Sequence, residues 1–196
     1  MQTEYWQGSD GDAYTQRQLL SMTSRSYMFR NILDICDGFH SIIEFGANDG
    51  SNLRAIHDIS PFMGMGGVEV NLEAFEKLKT IAHQSFHGSM LDDLNVGVWD
   101  MSMTRGVLIH ISPDSLNKAY EALYNASRKY ICITEYYSPT PRMIPYRGRD
   151  NLLWARDFAG EMMDLYPLKL VDYFFTYHRD HLYPQDDVTT FIMERK

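Results

Sequence analysis

Glu44, Gly46, Asn48, Gly50 and Glu69 are the residues whose types and spacing first suggest chemistry. Gly46 follows the apolar run Ile42 to Phe45, and Gly50 precedes Leu53 and Ile56 at helical spacing, so the stretch reads as strand, tight turn, helix. A glycine at 46 lets the backbone turn sharply where the strand ends, and one at 50 leaves room for a ligand or a helix to come close. A nucleotide-like ligand belongs at such a turn. Glu69 ends a second short apolar run about 20 residues further on, where nucleotide-binding α/β folds place an acid against ribose hydroxyls. A solvated acid at a strand end is the plainer alternative.

Further along, His110 sits in Arg105-Gly106-Val107-Leu108-Ile109-His110-Ile111-Ser112-Pro113. Imidazole titrates near working pH, which makes His110 the first candidate for a general base, against the plainer reading of a histidine packed at a helix start. Glu135 and Tyr137, at the polar end of the apolar run from Tyr130, are candidates for orienting an acceptor. Residues 138–157 carry Arg142, Arg147 and Arg149, planar donors suited to carboxylate or phosphate, and Tyr146 and Trp154, rings able to stack on a planar or sugar surface. Too long and irregular for a simple connection, this segment reads as a substrate lid, or as a solvated basic loop that offsets neighbouring acids. His178 and His181 with Asp180 lack the further ligands a metal needs, so no metal site is expected, and His178 is assigned to the acceptor pocket or the surface. Tyr5, Trp6 and Tyr14 lie in an amino-terminal stretch with no helical or strand period, expected to be a loop that pins the arm to the core or covers a ligand.

The elements that must position these residues alternate. A helix is expected from Ser24, with Met28, Phe29, Ile32 and Leu33 on its apolar face and Asp37-Gly38 as its stop. Strands follow at 42–45, 67–70, 85–87, 98–104 and 130–137, with Asn71 capping the helix after the second and Ser112-Pro113 opening the helix after the fourth. Residues 168–177 and 188–194 read as two strands with no helix between them, hence an antiparallel pair closing an otherwise alternating α/β sheet.

Composition bounds the rest. The 196 residues are 44% hydrophobic and 22% charged, within the range of one globular domain spanning 1–196, with 1–40 as an amino-terminal arm and helix. No apolar stretch reaches bilayer length and no secretory signal opens the chain, so a cytoplasmic protein is expected. Cys36 and Cys132 are read as buried free thiols. A net charge of −8 disfavours a broad nucleic-acid surface, with a local exception around Arg142 to Arg156.

The acid at 44, one spacer, Gly46, three spacers and Gly50 resemble motif I of the class I S-adenosylmethionine-dependent methyltransferases, with Asn48 at the middle glycine of that pattern. The resemblance implies a Rossmann-like seven-stranded, mostly parallel sheet with a reversed last strand, and S-adenosylmethionine as cofactor. It places Glu44 and Asn48 near the amino-acid end of the cofactor, Gly46, Ala47 and Gly50 at its close approach, and Glu69 with Val70 at its ribose. Ser89 and Met90 fall at the adenine edge, and Thr104 and Arg105 where the fourth strand opens onto the methyl-transfer site. The start of the chain (Tyr5-Trp6-x-Gly8, Gly11-Asp12-x-Tyr14, Arg17) and the Arg105-to-Pro113 segment are similar to the methylases associated with pseudaminic acid biosynthesis, which implies a sugar or nucleotide-sugar acceptor. Two other classes stay open: a binding module that keeps the cofactor pocket without catalysis, and a dinucleotide-dependent oxidoreductase or epimerase. Asn48 and Ser51 in place of the glycines of a G-x-G-x-x-G turn, and the terminal strand pair, weigh against the latter.

Overall fold

Side chains alternate across each strand, and in this chain both faces of the sheet are apolar. Ile43, Phe45, Ile131 and Ile133 enter one buried cluster, while Ile42, Met101, Met103, Tyr130 and Cys132 enter the other. Helices must therefore cover both sides. The computed structural model describes residues 2–16 and 20–196, apart from the side chains of residues 2–4, 9 and 14.

The chain runs α1 (Gln2–Gln7), α2 (Ser9–Gln16), α3 (Met22–Ile35), β1 (Ser41–Phe45), α4 (Ser51–Ile59), β2 (Gly64–Glu69), α5 (Leu72–Leu78), β3 (Gln84–His87) and β4 (Trp99–Arg105). Two 3-10 turns, Leu108–His110 and Pro113–Ser115, then lead into α6 (Leu116–Ala126) and β5 (Ser127–Glu135). After these come β6 (Arg142–Met143), β7 (Trp154–Ala155), α7 (Phe158–Leu165), β8 (Leu168–Phe175) and β9 (Thr189–Arg195). Seven strands form one sheet in the order β3-β2-β1-β4-β5-β9-β8, and β6 with β7 form a separate hairpin. All neighbours pair in parallel except β9, which is antiparallel to both β5 and β8. The expected seven-stranded sheet with a reversed last strand is the one observed.

From β1 the chain builds outward through β2 and β3, then returns to lay β4 and β5 on the other side. The carboxyl ends of β1 and β4 therefore flank the point where strand order reverses, the place where open α/β sheets leave a crevice for ligands.

Three local expectations need correction. The amino-terminal stretch is helical in α1 and α2. Its own sequence has little amphipathic period, but tertiary bonds hold it: Asn71 Nδ2 donates to the Trp6 carbonyl (3.3 Å) and to Asp12 Oδ1 (2.7 Å), and Thr15 Oγ1 donates to Asn48 Oδ1 (2.7 Å). The second strand begins at Gly64, three residues before the expected start. Its glycines hid it, and packing requires one of them, since a Cβ at Gly66 would lie 2.6 Å from the Trp99 ring. Ser112 caps no helix with its side chain; Pro113–Ser115 winds as a 3-10 turn and α6 starts at Leu116. Asn71 does cap α5, accepting from the Ala74 amide at 2.9 Å, and Cys36 and Cys132 are buried and free.

Candidate active site

A cavity of about 570 Å³ opens at the carboxyl ends of β1, β2 and β4. The turn after β1 forms its floor. Asn48 adopts φ 49°, a left-handed conformation that a β-carbon ordinarily resists and that asparagine tolerates best after glycine. That tolerance explains how Asn48 stands at a position where the motif carries glycine. Gly46 and Gly50 also have positive φ, 72° and 79°. The space they free is filled by protein: a Cβ at 46 would lie 2.4 Å from Val107 Cγ2, and one at 50 would sit 3.1–3.4 Å from Ile81 and Leu78. Gly46 thus lets the turn pack against the segment that carries His110.

Glu69 closes one side of the floor. Its Oε2 accepts from the Asn48 amide at 2.8 Å and its Oε1 from the Asn71 amide at 2.7 Å, so one carboxylate joins the turns after β1 and β2. Burial pushes its pKa up while the amides favour the charged form. A carboxylate has about four acceptor sites; the Asn48, Asn71 and Val70 amides engage Glu69, which also lines the cavity.

The cavity wall is also rich in donors. Arg25, from α3, donates through Nη1 to Asn52 Oδ1, and Asn52 Nδ2 donates to Glu44 Oε1 at 2.6 Å. Glu44 is fully buried, and desolvation pushes its pKa up to about 7. Asn48 Nδ2 and the Nε and Nη2 atoms of Arg105 are buried with no hydrogen-bond partner among the described residues. Unpaired buried donors cost about 1–3 kcal/mol each, and these belong to residues that line the cavity.

His110 lines the cavity from the 3-10 turn after β4. The Val107 and Leu108 amides, each at 3.0 Å, donate to Glu135 Oε1, and the Ile109 amide donates to Oε2 at 3.4 Å. Glu135 anchors the start of that turn; burial pushes its pKa up to about 7. His110 Nδ1 lies 2.7 Å from the carbonyl oxygen of Leu152, on the β6–β7 hairpin. A carbonyl only accepts, so Nδ1 carries the hydrogen and Nε2 keeps its lone pair in the neutral ring. Burial lowers the His110 pKa to about 4, which keeps the ring neutral at physiological pH. Trp6 (4.6 Å between ring centroids) and Tyr146 (5.3 Å) pack against it.

Of the expected cofactor contacts, Gly46, Ala47, Asn48 and Glu69 line the cavity, as do Val70, Ser89, Met90 and Arg105. Glu44, Gly50 and Thr104 stand behind the wall. Ser89 is fixed by its own turn, its amide donating to Asp92 Oδ2 at 2.8 Å. Of the residues expected to meet an acceptor, His110 and Trp154 line the cavity. Glu135 does not, because backbone amides occupy it. Tyr137 lies outside, 44% exposed against Phe191. His178 is on the surface in the β8–β9 loop, its Nδ1 2.8 Å from Asp187 Oδ2. Arg142, Arg147 and Arg149 are exposed on the hairpin and do not line the cavity, and Tyr146 reaches it through the His110 ring. The Tyr14 side chain and Arg17 lie outside the described residues.

Sequence reading missed Arg25, Asn52, Asn71 and Thr15 as cavity residues. All four lie on or beside helices where nothing local distinguishes a cavity-facing polar residue from a solvated one. Trp6 was singled out only as part of the arm. No three His, Cys, Asp or Glu side chains converge as a metal set among the described residues, and no helix among them is long and apolar enough to cross a membrane.

No protein-family model matches this sequence, and no curated protein does. Solved structures match it across the whole fold. An S-adenosylmethionine-dependent methyltransferase from Leishmania major superposes with a TM-score of 0.73 at 15% identity, covering 99% of this chain and 81% of that one. The sugar N-methyltransferase KedS8 from Streptoalloteichus gives 0.68 at 11% identity, over 94% and 92% of the two chains. Magnesium protoporphyrin IX methyltransferase from Synechocystis, with bound S-adenosylmethionine, gives 0.68 at 9% identity, over 99% and 95%. The protein has the fold of the class I S-adenosylmethionine-dependent methyltransferases.

Proposed function

We propose that this chain is an S-adenosylmethionine-dependent methyltransferase acting on a small molecule, with a sugar or nucleotide-sugar as the acceptor, and that residues 1–196 work as one methyltransferase domain. One observation carries the reading: a single cavity at the strand-order reversal sets the buried Glu69 carboxylate against the partnerless donors Asn48 Nδ2 and Arg105 Nε and Nη2. The cofactor fits that arrangement. Glu69 offers acceptors to ribose hydroxyls, Arg105 and Asn48 offer donors to an amino-acid carboxylate, and the Gly88 to Leu91 turn borders the space left for a flat base.

When bound, S-adenosylmethionine supplies a methyl group on a sulfonium that is already an activated leaving group. What remains for the protein is to align the acceptor and exclude water. His110 presents the Nε2 lone pair, which takes the proton of a hydroxyl acceptor or keeps an amine neutral. Burial holds the ring neutral with its lone pair available, but a pKa of about 4 in place of the expected value near working pH makes it a weaker base than a free imidazole, so its part is more in orienting the acceptor. Glu135 fixes the turn on which the imidazole rides. Trp154 and Trp6 border the acceptor space, in keeping with a sugar ring that packs on aromatic faces.

Calorimetry of the protein with S-adenosylmethionine, its demethylated product and NAD, repeated on Glu69→Ala, tests the reading. We expect both sulfur compounds to bind, NAD not to bind, and the variant to lose about tenfold or more in affinity. Preference for NAD, or no binding of either sulfur compound, overturns the assignment. Cofactor binding with no turnover on any sugar acceptor leaves a binding module.

A further inference from the structure

Two chains of ring contacts leave His110 and run outward, and each ends in a guanidinium. In the first, Tyr146 lies 5.3 Å from the His110 ring and the Arg147 guanidinium 5.4 Å from the Tyr146 ring. In the second, Trp6 lies 4.6 Å from His110, Tyr5 packs edge-on against Trp6 at 5.1 Å, and the Arg149 guanidinium stands 5.5 Å from the Tyr5 ring. Arginine on an aromatic face keeps its planar fork of donors free while its stem is held. Neither guanidinium forms an ion pair among the described residues, although Asp150 is adjacent in sequence and Asp10 acts electrostatically on Tyr5.

The backbone of the hairpin points the same way. Tyr146 and Arg149 exchange both amide-to-carbonyl bonds, at 2.9 and 3.0 Å, across the two-residue loop Arg147-Gly148, whose φ values are 52° and 72°. This is the type I′ geometry, which asks for asparagine or glycine at its first loop position. The chain places arginine there, against local preference, and such departures concentrate where a side chain is needed for function.

We infer that Arg147 and Arg149 form the distal subsite for the acceptor and bind an anionic group, phosphate or carboxylate, carried on the part of the molecule remote from the atom that is methylated. The inference rests on the acceptor lying against His110, as in the proposed function. The two guanidiniums stand one and two rings out from that imidazole, so the group they hold is at the far end of the acceptor. In a chain of net charge −8, two arginines that form no ion pair among the described residues, exposed on this hairpin, also favour an anionic acceptor over the many cations and neutral solutes present.

The test is calorimetric titration of the full chain, saturated with S-adenosylhomocysteine, with inorganic pyrophosphate and separately with glucuronate, on the wild type, Arg147→Asn and Arg149→Gln. Arg147→Asn gives the loop the residue its geometry prefers, so the hairpin keeps or gains thermal stability while losing the guanidinium. Expected is binding of at least one anion, weakened about tenfold or more in each variant, with unchanged affinity for S-adenosylhomocysteine. Tighter pyrophosphate assigns the subsite to a phosphate-bearing acceptor; tighter glucuronate assigns it to an acidic sugar. Equal anion affinity in wild type and variants, or no binding of either anion at millimolar concentration, overturns the inference. Should S-adenosylhomocysteine itself fail to bind while Arg147→Asn still abolishes anion binding, the anion subsite stands and the methyltransferase reading falls.

Discussion

His110 and Leu152 are 42 positions apart in sequence and joined by one 2.7 Å hydrogen bond, which fixes the imidazole tautomer and ties the β6–β7 hairpin to the turn after β4. Because the bond uses Nδ1, it leaves Nε2 free for the role proposed above. Replacing His110 by Gln is expected to lower kcat by about 10²–10⁴ for a hydroxyl acceptor and to leave cofactor affinity unchanged. Comparing kcat with the calorimetric cofactor affinity checks the split; a parallel loss in both would make the residue structural.

The same burial sets a pH dependence. His110 has its folded pKa lowered from 6.5 to about 4, so between those values the unfolded chain takes up a proton that the native ring does not. Its contribution is therefore full above pH 6.5 and lost as pH falls toward 4, by about 3 kcal/mol in all. Glu44 and Glu135, raised from 4.5 to about 7, act in the opposite sense: their contribution is full below pH 4.5 and lost as pH rises through 7. Urea melts of wild type and His110→Gln across pH 4–7 separate the two effects. The difference between the proteins should grow in favour of the wild type with rising pH.

Glu135 should behave as a positioning residue. In Glu135→Gln, the amide group turns a donor or a single acceptor oxygen toward three backbone N–H groups, costing about 1–3 kcal/mol. The turn holding His110 then loosens, so kcat should fall while the affinity for S-adenosylhomocysteine stays near wild type. If Glu135 met the acceptor directly, KM would rise and stability would change little.

Asn48 distinguishes backbone from side chain. Asn48→Gly keeps the left-handed turn, whereas Asn48→Ala forces a β-carbon into φ 49° at about 1–2 kcal/mol. Thermal melts should rank wild type and Asn48→Gly above Asn48→Ala. Both variants lose the Nδ2 donor, so both should bind the cofactor more weakly, and by similar factors.

Gly66 offers a prediction away from the site. Any side chain there must displace the Trp99 ring, and Gly66→Ala should destabilise by about 1–3 kcal/mol through overpacking. Denaturant unfolding measures it; a neutral result would mean that the Trp99 ring shifts without cost.

The sheet was legible because its information is local. Continuous apolar runs at β1 and β5, the alternation at β4, and the helix-free pair β8 and β9 carry their structure in a few consecutive residues. The turn after β1 was legible for the same reason, since glycine and asparagine report backbone conformation directly. What stayed hidden depends on partners distant in sequence. The arm lacks a helical pattern of its own and is held by Asn71 and Asn48. Arg25 and Asn52 face the cavity only once α3 and α4 are packed. Glu135 invited an acceptor role by type and strand-end position, because the amides of residues 107–109 that occupy it do not show in a sequence. The regular hairpin within 138–157 was also missed: its strands are two residues each, and its tight loop carries arginine where a turn signal would be asparagine.

The strand order also bears on how the chain comes to be folded as it is made. Among the described residues, β8 has no strand neighbour other than β9, and β9 follows it in the chain. The five parallel strands through β5 can assemble while the ribosome is still working, but β8 must then wait, unpaired, for Thr189–Arg195 to slip between it and β5. Until that happens, its side chains Leu170, Val171, Tyr173 and Phe175, still substantially exposed in the finished fold, sit on a strand with both edges open. A β8 that lacks β9 therefore presents two unpaired edges and an exposed apolar face, the features that favour intermolecular strand pairing.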